Sequence, residues 1–215
     1  MSGTADWYLD YLSPYPYLQL SRFKDLPASL TIQPRPVLFA ALLNHWGHKG
    51  PAEIPFKARQ TYYYTHWLAR KRGLSFVGPP RHPFNPLPLL RLTIALGATV
   101  DVVRAIYAHV WGEGNDAQSA ESLAALGAKL GVADVDALIY SADVKDALKA
   151  NTDEAIARGV FGVPTFYLHG AKSPIFWGDD VTDMFIDYLA DPALFDASDA
   201  HMMSVTPAAM RRAPI

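Results

Sequence analysis

One stretch near the N-terminus constrains the fold more than any other, because an apolar, aromatic run is followed at once by a serine and a proline. Residues 7–12 form the run, whose length and aromatic content predict a buried strand. Ser13 and Pro14 then predict a helix N-cap and the first helical residue. The hydroxyl of Ser13 is therefore expected beside unpaired backbone N–H groups and the positive end of the helix dipole, where proteins hold small anions. The alternative is a serine that only caps the helix.

The composition narrows the class of protein. The chain has 215 residues, half of them hydrophobic, which is enough to bury the core of one domain with a sizeable insertion. Its 19 basic and 21 acidic residues are spread along the sequence and give a net charge of −2, so we expect neither a nucleic-acid partner nor a membrane partner. No apolar run approaches the ~18 residues of a membrane span, and residues 1–6 lack the features of a secretory signal. We therefore expect a cytoplasmic protein.

The chain contains no cysteine, and this excludes several kinds of chemistry. Disulfides, thiolate metal sites, cysteine nucleophiles and a dithiol redox cycle run by the protein itself all need a thiol. If sulfur chemistry takes place, the thiol has to come from a ligand. The spacing of His45, His48, His66 and His82 fits no compact set of metal ligands, so we expect no metal site.

The next patterns predict a parallel βαβ unit at the start of the chain. A helix is expected from residue 14 to about residue 23 or 26, and residues 30–37 predict a second strand closed by prolines. A right-handed crossover makes the two strands parallel and puts the ligand crevice beyond their carboxyl ends, where Ser13 lies.

The middle of the chain changes character after a polar, glycine-rich loop at residues 44–51. Apolar periodicity and capping residues predict helices, with no strand among them, over residues 55–72, 84–96, 99–111, 116–130, 134–140 and 143–158. Strand patterns return at residues 163–168 and 174–177, which predict an antiparallel hairpin with a loop at residues 169–173. A last helix is expected over residues 180–189.

The order βαβ, helical insertion, ββα predicts an α/β protein with a thioredoxin-like fold and a large all-helical insertion. We expect residues 1–43 and 160–190 to form the thioredoxin-like domain, and residues 44–159 to form an inserted helical subdomain. Residues 191–215 show no clear period. They are expected to be a C-terminal tail that packs on the surface or on a partner subunit, or is partly disordered.

Five short motifs, in order from about residue 7 to residue 190, carry a family resemblance. They are Asp10-Tyr11-Leu12-Ser13-Pro14-Tyr15, Gly47-His48-Lys49-Gly50-Pro51, Trp111-Gly112-Glu113-Gly114, Phe161-Gly162-Val163-Pro164-Thr165 and Phe176-Trp177-Gly178-Asp179-Asp180. Each alone is weak, but together they resemble the 2-hydroxychromene-2-carboxylate isomerase family, which is related to the kappa-class glutathione transferases. Pro164 resembles the cis-proline of thioredoxin-fold proteins. Ser13-Pro14-Tyr15-Pro16 stands where DsbA-like oxidoreductases carry Cys-Pro-x-Cys, with both thiols missing.

The resemblance implies glutathione as the cofactor and assigns residues to it. It implies that Ser13 contacts the sulfur and is the catalytic residue. It implies that Val163, before the cis-proline Pro164, pairs its backbone with the tripeptide. The turn Trp177-Gly178-Asp179-Asp180 would hold the γ-glutamyl end, with one aspartate accepting the α-ammonium group. The alternative for both aspartates is to complement the dipole of the last helix.

The residues that would face the second substrate depart from the family pattern. His48 stands where the characterised isomerases have asparagine, and Val181 where they commonly have arginine. Lys57 matches the Pro-x-Lys of the kappa class only loosely, and a solvated lysine on a helix explains it equally. His82 and Phe84 are the other candidate substrate contacts. The ordinary alternatives are a histidine at the surface or behind the residues that touch the ligand, and a phenylalanine in the core.

The chemistry that the resemblance implies needs a glutathione thiolate. An unperturbed thiol has a pKa of ~8.5. A helix N-terminus stabilises a thiolate by roughly 0.3–1 kcal/mol, or up to ~2 kcal/mol when partly buried. Since each pKa unit corresponds to ~1.4 kcal/mol, the dipole alone would lower the thiol pKa by about one unit. A hydrogen bond donated by the Ser13 hydroxyl to the sulfur would supply the rest of the pKa shift. The thiolate would add to an electron-poor double bond of an aryl-substituted pyruvate, rotation would follow, and elimination would return glutathione after cis–trans isomerisation.

Several functions stay open at this point. A kappa-like transferase would keep the conjugate instead of releasing glutathione, and a glutathione-binding protein would have no turnover. A dithiol oxidoreductase is nearly excluded by the absence of cysteine. We expect an isomerase of aromatic hydrocarbon catabolism that acts on a small aromatic substrate. Exposed aromatic residues and the C-terminal tail lead us to expect a homodimer.

Overall fold

A mixed sheet forms the centre of the molecule. The computed structural model describes residues 3–172 and 174–204, with the backbone alone at residues 202 and 203. The strands are β1 (Gly3–Leu9), β2 (Leu30–Pro36), β3 (Thr165–Leu168) and β4 (Ile175–Trp177), in the order β2-β1-β3-β4. β1 is parallel to β2 and antiparallel to β3, and β3 is antiparallel to β4. The predicted βαβ unit and hairpin are confirmed.

Helices surround this sheet and fill the chain between β2 and β3. They are α1 (Tyr15–Leu20), α2 (Phe39–Trp46), α3 (Pro55–Lys71), α4 (Leu87–Ala95), α5 (Val100–Tyr107), α6 (Ala120–Lys129), α7 (Val135–Ile139), α8 (Ala142–Ala157), α9 (Thr182–Ala190) and α10 (Asp196–Ser204). A π-helical turn over Ala108–Gly112 continues α5, and short 3-10 turns cover Phe23–Asp25 and Pro51–Glu53. The thioredoxin-like α/β fold with its long helical segment is confirmed.

β1 is one of the two inner strands of the sheet and is buried on both faces. Trp7 and Leu9 point into the main hydrophobic core, where Phe166 of β3 and Phe185 of α9 also lie. Tyr8 points to the other face and packs in a smaller core with residues of α2 and α8. A strand covered on both sides is expected to be apolar without strict alternation, and this explains why the aromatic run predicted a strand.

Side-chain caps fix where several helices begin. The Thr99 hydroxyl accepts the Val102 amide at 3.2 Å and starts α5, as predicted. α6 begins four residues after the predicted start at residue 116, because Ser119 accepts the amide of Ser122 at 3.0 Å and is the cap. α4 begins at Leu87, three residues after the predicted start at residue 84, with Pro86 as its N-cap and no side-chain capping bond from that residue.

The bounds of the first two elements also differ from the prediction. β1 spans Gly3–Leu9 rather than residues 7–12, and α1 ends at Leu20 rather than at residue 23 or 26. α2 was not predicted: it begins at Phe39, spans the predicted domain boundary between residues 43 and 44, and takes up the first part of the predicted loop at residues 44–51. It ends at Gly47, whose φ of 65° is the left-handed conformation that closes many helices.

The C-terminal tail contains a helix that was not predicted. α10 lies within residues 191–215, which were expected to pack on the surface or on a partner subunit, or to be partly disordered. Residues 205–215 of the tail and residue 173 of the hairpin loop lie outside the described residues. Within the described ranges, no helix combines the length and the apolar character that crossing a membrane requires.

Candidate active site

The turn between β1 and α1 carries Ser13, which is 7% exposed. Its N–H donates to the carbonyl oxygen of Asp10 at 3.0 Å. α1 begins at Tyr15, with Pro14 as its N-cap, so the predicted cap at Ser13 is displaced by one residue. The Ser13 hydroxyl lies 3.4 Å from the Tyr15 amide, which is a long contact for a capping bond. The hydroxyl therefore lies near the start of α1 without forming a short capping hydrogen bond to it.

The carboxylate of Asp10 folds this turn from the inside. It is fully buried, and it accepts the Leu12 amide at 2.9 Å and the Phe39 amide, the first of α2, at 2.8 Å. Burial raises the pKa of Asp10 to about 7, against the two amide hydrogen bonds, which lower it. One side chain thus shapes the turn before Ser13 and starts the next helix.

Side chains of the helical segment hold the same turn from the outside. Three successive carbonyl oxygens each accept one of them, and every bond is 2.8 Å long: Tyr107 Oη donates to Asp10, Trp111 Nε1 to Tyr11, and His82 Nε2 to Leu12. The donors lie on α5, on its π-helical continuation and on the loop before α4. His82, a predicted substrate contact, therefore has one ring nitrogen engaged with the backbone next to Ser13.

The Val163–Pro164 peptide is cis, as predicted. Val163 is 5% exposed, and neither its N–H nor its carbonyl oxygen forms a hydrogen bond among the described residues. The Pro164 carbonyl accepts the Gly178 amide at 2.9 Å, which joins this segment to the Trp177-Gly178 turn. Unpaired backbone groups at a buried residue are groups that a bound peptide can satisfy.

The indole of Trp177 covers the backbone just before Val163. A Cβ atom built on Gly162 would lie 2.4 Å from Trp177 Nε1, so only glycine fits beneath the ring. Trp177 is 50% exposed, and its Nε1 has no hydrogen-bond partner among the described residues. The ring and its N–H are therefore open to a ligand that lies along Val163.

The two neighbouring aspartates have different surroundings. Asp179 is 3% exposed, and its two oxygens accept from Nη1 and Nη2 of Arg72 at 2.7 and 2.8 Å. Arg72 also donates to the Leu18 carbonyl at 2.9 Å, at the end of α1. Asp180 is exposed, and its carboxylate forms no ion pair or hydrogen bond among the described residues. Asp180 is thus the carboxylate that is available to a ligand.

Gln19 is buried in α1 and connects this helix to the turn at residues 177–180, here called the aspartate turn. Its amide donates to the Gly178 carbonyl at 2.9 Å and to the Thr182 hydroxyl at 3.2 Å, and its oxygen accepts from Trp7 Nε1 at 2.7 Å. The pKa of Tyr15, the first residue of α1, is raised chiefly by burial and also by the charges of the two aspartates. α1 and the aspartate turn are therefore joined directly, through the side chain of Gln19.

The remaining predicted substrate contacts are His48, Lys57 and Phe84. His48 is exposed in the loop after α2, and Lys57 is exposed in the first turn of α3. No described contact joins His48 or Lys57 to Ser13. Phe84 is buried in the main hydrophobic core.

Comparison with known proteins places this geometry in a family. A family model described as a DSBA-like thioredoxin domain matches residues 4–190. A 2-hydroxychromene-2-carboxylate isomerase of Pseudomonas putida is 30% identical, over 82% of this chain and 89% of that protein. The chain belongs to the DSBA-like family, in its 2-hydroxychromene-2-carboxylate isomerase branch. The resemblance carried by the five motifs is confirmed.

Two further comparisons agree with this placement of the DSBA-like chain. Glutathione S-transferase kappa 2 of Caenorhabditis elegans is 28% identical, over 86% of this chain and 91% of that protein. A solved 2-hydroxychromene-2-carboxylate isomerase superposes with a TM-score of 0.73 at 25% identity, covering 92% of this chain and 98% of that one. These relatives are named as enzymes, and the family is one of glutathione-related isomerases and transferases.

Two residues that hold this DSBA-like site together were not predicted from the sequence. Arg72 and its partner Asp179 are 107 positions apart, and Gln19 and Thr182 are 163 apart, so no local pattern connects them. The role of Asp10 did have a local signal. An aspartate that accepts the amide two residues further on is a common way to fold a turn.

Proposed function

We propose that this protein binds glutathione, activates its thiol at Ser13, and catalyses cis–trans isomerisation of 2-hydroxychromene-2-carboxylate or a related aryl-pyruvate. The observation that carries the proposal is the buried Ser13 hydroxyl at the start of α1, in a chain without any cysteine. The names of the relatives, isomerase and kappa transferase, support the same chemistry.

The residues of the site fit a short peptide with a free amino end. The unpaired N–H and carbonyl of Val163 can pair with an extended peptide backbone, as other proteins bind peptides at a sheet edge. The exposed carboxylate of Asp180 can accept an α-ammonium group in a charge-assisted bond. We assign this role to Asp180 because the oxygens of Asp179 are already held by Arg72. Trp177 and Gly178 would form the wall beside it.

Ser13 and α1 can stabilise negative charge on sulfur. Glutathione, when bound, supplies a thiol that adds reversibly to an electron-poor double bond. The first turn of α1 has no acidic residue to compensate its dipole, so its N-terminus lowers the thiol pKa by about one unit. The hydroxyl of Ser13 donates to the sulfur and lowers that pKa further.

The side of the pocket away from Asp180 would select the substrate. We place the keto-acid carboxylate of the substrate toward Lys57, which has no ion pair among the described residues, and its aryl ring toward the His48 loop. Trp46 Nε1 donates to the Val160 carbonyl at 3.0 Å and ties the end of α2, and hence this loop, to the segment that leads to Val163. A His48→Asn change should alter turnover among aryl substrates while glutathione affinity stays nearly constant.

A kappa-like transferase is the second candidate, favoured by the likeness to the Caenorhabditis elegans kappa 2 enzyme. The two activities differ in the fate of glutathione. An isomerase leaves the free glutathione concentration unchanged while the ultraviolet spectrum of a benzylidenepyruvate-type substrate changes. A transferase depletes glutathione in proportion to product.

We also propose a cytoplasmic homodimer that acts in aromatic catabolism. Phe56, Tyr63 and Trp67 lie exposed along α3, which supports association of two copies. Sedimentation velocity at micromolar concentration tests this proposal, since a monomer would contradict it.

The Ser13→Ala variant tests the proposed function. Removing a preorganised donor to sulfur is expected to lower kcat by about 10²–10³ and to raise the pKa of bound glutathione, read from thiolate absorbance, toward its free value. Glutathione affinity should change much less. The matched control is Ser21→Ala, which removes a hydroxyl from the other end of α1, where it bonds the Leu18 carbonyl at 2.6 Å. Unchanged kcat and thiolate pKa in Ser13→Ala would refute the proposal.

A further inference from the structure

The peptide unit that joins Leu12 to Ser13 is held at both ends. Its carbonyl oxygen accepts from His82 Nε2 at 2.8 Å, and its N–H, which belongs to Ser13, donates to the Asp10 carbonyl at 3.0 Å. The two groups lie on one rigid plane, so fixing both of them fixes the orientation of the plane. The Cα atom of Ser13, which carries the side chain, lies in this plane.

The preceding peptide unit is held in the same way. The Tyr11 carbonyl accepts from Trp111 Nε1 at 2.8 Å, and the Leu12 amide donates to the Asp10 carboxylate at 2.9 Å. Among these side chains, His82 is the one that bonds the peptide of Ser13 from the helical segment. Its loss would free one end of that peptide while leaving the rest of the turn bonded.

The surroundings of His82 define the state of its ring. A carbonyl oxygen only accepts hydrogen bonds, so Nε2 carries the hydrogen. Nδ1 is buried and has no partner among the described residues, which suits the unprotonated nitrogen of a neutral imidazole. The ring packs edge-on against Tyr62 and Trp111, with centroids 5.6 and 5.5 Å away. This packing and the hydrogen bond leave the ring in one orientation.

We propose that His82 is a positioning residue for Ser13. Its Nε2–H fixes the Leu12–Ser13 peptide and thereby aims the Ser13 hydroxyl. This replaces the substrate contact expected of His82 from the sequence. The catalytic consequence rests on the proposed function, whereas the effect on the turn does not.

Two substitutions of His82 separate the hydrogen bond from the ring. In His82→Gln the side-chain amide nitrogen reaches about as far as Nε2 and can still donate to the Leu12 carbonyl. In His82→Asn the amide is one bond shorter and falls short. We expect His82→Asn to lower kcat by about 10- to 100-fold, since small displacements of a catalytic group have effects of this size. The thiolate pKa of bound glutathione should rise, and glutathione Kd should change much less than kcat.

The His82→Gln variant is expected to recover most of the kcat and a thiolate pKa near that of the unmodified protein. Equal losses in the Gln and Asn variants would overturn the proposal, because the donated hydrogen bond would then be irrelevant. A loss of glutathione affinity as large as the loss of kcat in His82→Asn would also overturn it, because His82 would then contact the ligand.

Hydrogen exchange at the Ser13 amide tests the proposal without glutathione. Freeing one end of the peptide should speed exchange by roughly fivefold in His82→Asn, as expected for one buried hydrogen bond worth ~1 kcal/mol, and hardly at all in His82→Gln. If Ser13→Ala is catalytically silent and this exchange pattern is still found, the proposed function fails and the positioning role stands. Unchanged exchange in a folded His82→Asn variant overturns the positioning role whatever the kinetics.

A measurement on the unmodified protein covers the case in which His82→Asn fails to fold. Nitrogen-15 chemical shifts of the His82 ring at neutral pH should report a protonated Nε2 and a bare Nδ1. A proton on Nδ1 alone would mean that no bond is donated to Leu12, and the proposal would be wrong.

Discussion

Asp179 and Asp180 are adjacent, yet replacing each by asparagine is expected to have opposite effects. In Asp179→Asn an amide would take the place of a buried carboxylate that accepts from two nitrogens of Arg72. One amide oxygen could still accept, but the NH2 group would face a guanidinium that can only donate. The charge of Arg72, whose side chain is 17% exposed, would be left without a counterion.

The size of the effect follows from this burial. Removing one partner of a buried ion pair costs about 3–5 kcal/mol, and we place Asp179→Asn near 3 because one hydrogen bond survives. In a protein of this length that corresponds to a fall in Tm of roughly 6–12 °C. Asp180 has no partner among the described residues and is exposed, so Asp180→Asn should change the free energy of unfolding by less than about 0.5 kcal/mol.

Glutathione affinity should show the reverse order. Losing a hydrogen bond between charged groups costs about 1.5–3 kcal/mol, so Asp180→Asn is expected to raise glutathione Kd by roughly 10- to 100-fold. Asp179→Asn should leave Kd nearly unchanged at a temperature where it is folded. Urea denaturation gives the stability, provided that the m-value is constant, and calorimetric titration gives Kd.

Asp183→Asn is the matched control for this pair of variants. Asp183 lies in the first turn of α9 and is exposed, with an ion pair to Arg22 at 2.6 Å. An exposed pair of this kind is worth 0–1 kcal/mol, so the control should change neither stability nor Kd appreciably. Equal stability of the Asp179 and Asp180 variants would refute the structural role of the buried pair. A folded Asp179→Asn that loses glutathione while Asp180→Asn retains it would show that the ligand role belongs to Asp179.

Three further predictions concern substitutions of Gly162, Asp10 and Asp6. Gly162→Ala would bring a methyl group within 2.4 Å of Trp177 Nε1 and displace the indole. Glutathione Kd, measured by calorimetry, should therefore rise, while Tm from a melting curve should change little. Burial raises the pKa of Asp10 from 3.8 to about 7, so the folded state binds its proton more tightly, and the free energy of unfolding contributed by this group should fall as pH rises from about 4 to 7. Urea titrations of Asp10→Asn across that range should show a flatter profile. Burial would raise the pKa of Asp6, but Arg158 and Arg35 hold it below its usual value. The contribution of Asp6 to the free energy of unfolding is therefore present at neutral pH and is lost as the solution is acidified below pH ~4. Urea titrations of Asp6→Asn should not show this loss of stability in acid.

The sheet could be predicted from the sequence because its signals are local. The aromatic run of β1, the prolines that close β2 and the short hairpin strands each predict their own element. Their order then restricts the topology to a few choices. The cis bond before Pro164 needed the resemblance as well, since a proline at a strand start is common and a cis bond is not. α2 was missed because the sequence around its end is polar and rich in glycine, and residues 39–43 before it were not recognised as the start of a helix that continues to Trp46.

The interior of the candidate site could be predicted only in part. The sequence indicated Ser13, the segment around Val163 and the aspartate turn. It gave no means of distinguishing Asp179 from Asp180, because the difference between them is Arg72, which lies at the end of α3 and far away in the chain. The hydrogen bonds from Tyr107, Trp111 and His82 to the turn likewise depend on tertiary packing.

These distant bonds matter because of the residue that stands at the turn. A cysteine at this position would bond covalently to its partner, and the bond itself would set the geometry. A serine acts on a ligand thiol only through a hydrogen bond, which prefers a donor angle above ~150° and weakens steeply below ~120°. Under the proposed function the Ser13 hydroxyl therefore needs an orientation fixed before the ligand arrives. The helical segment supplies it through three 2.8 Å bonds to successive carbonyls, so substitutions of Tyr107 or Trp111, remote from glutathione, should also raise the pKa of its thiol.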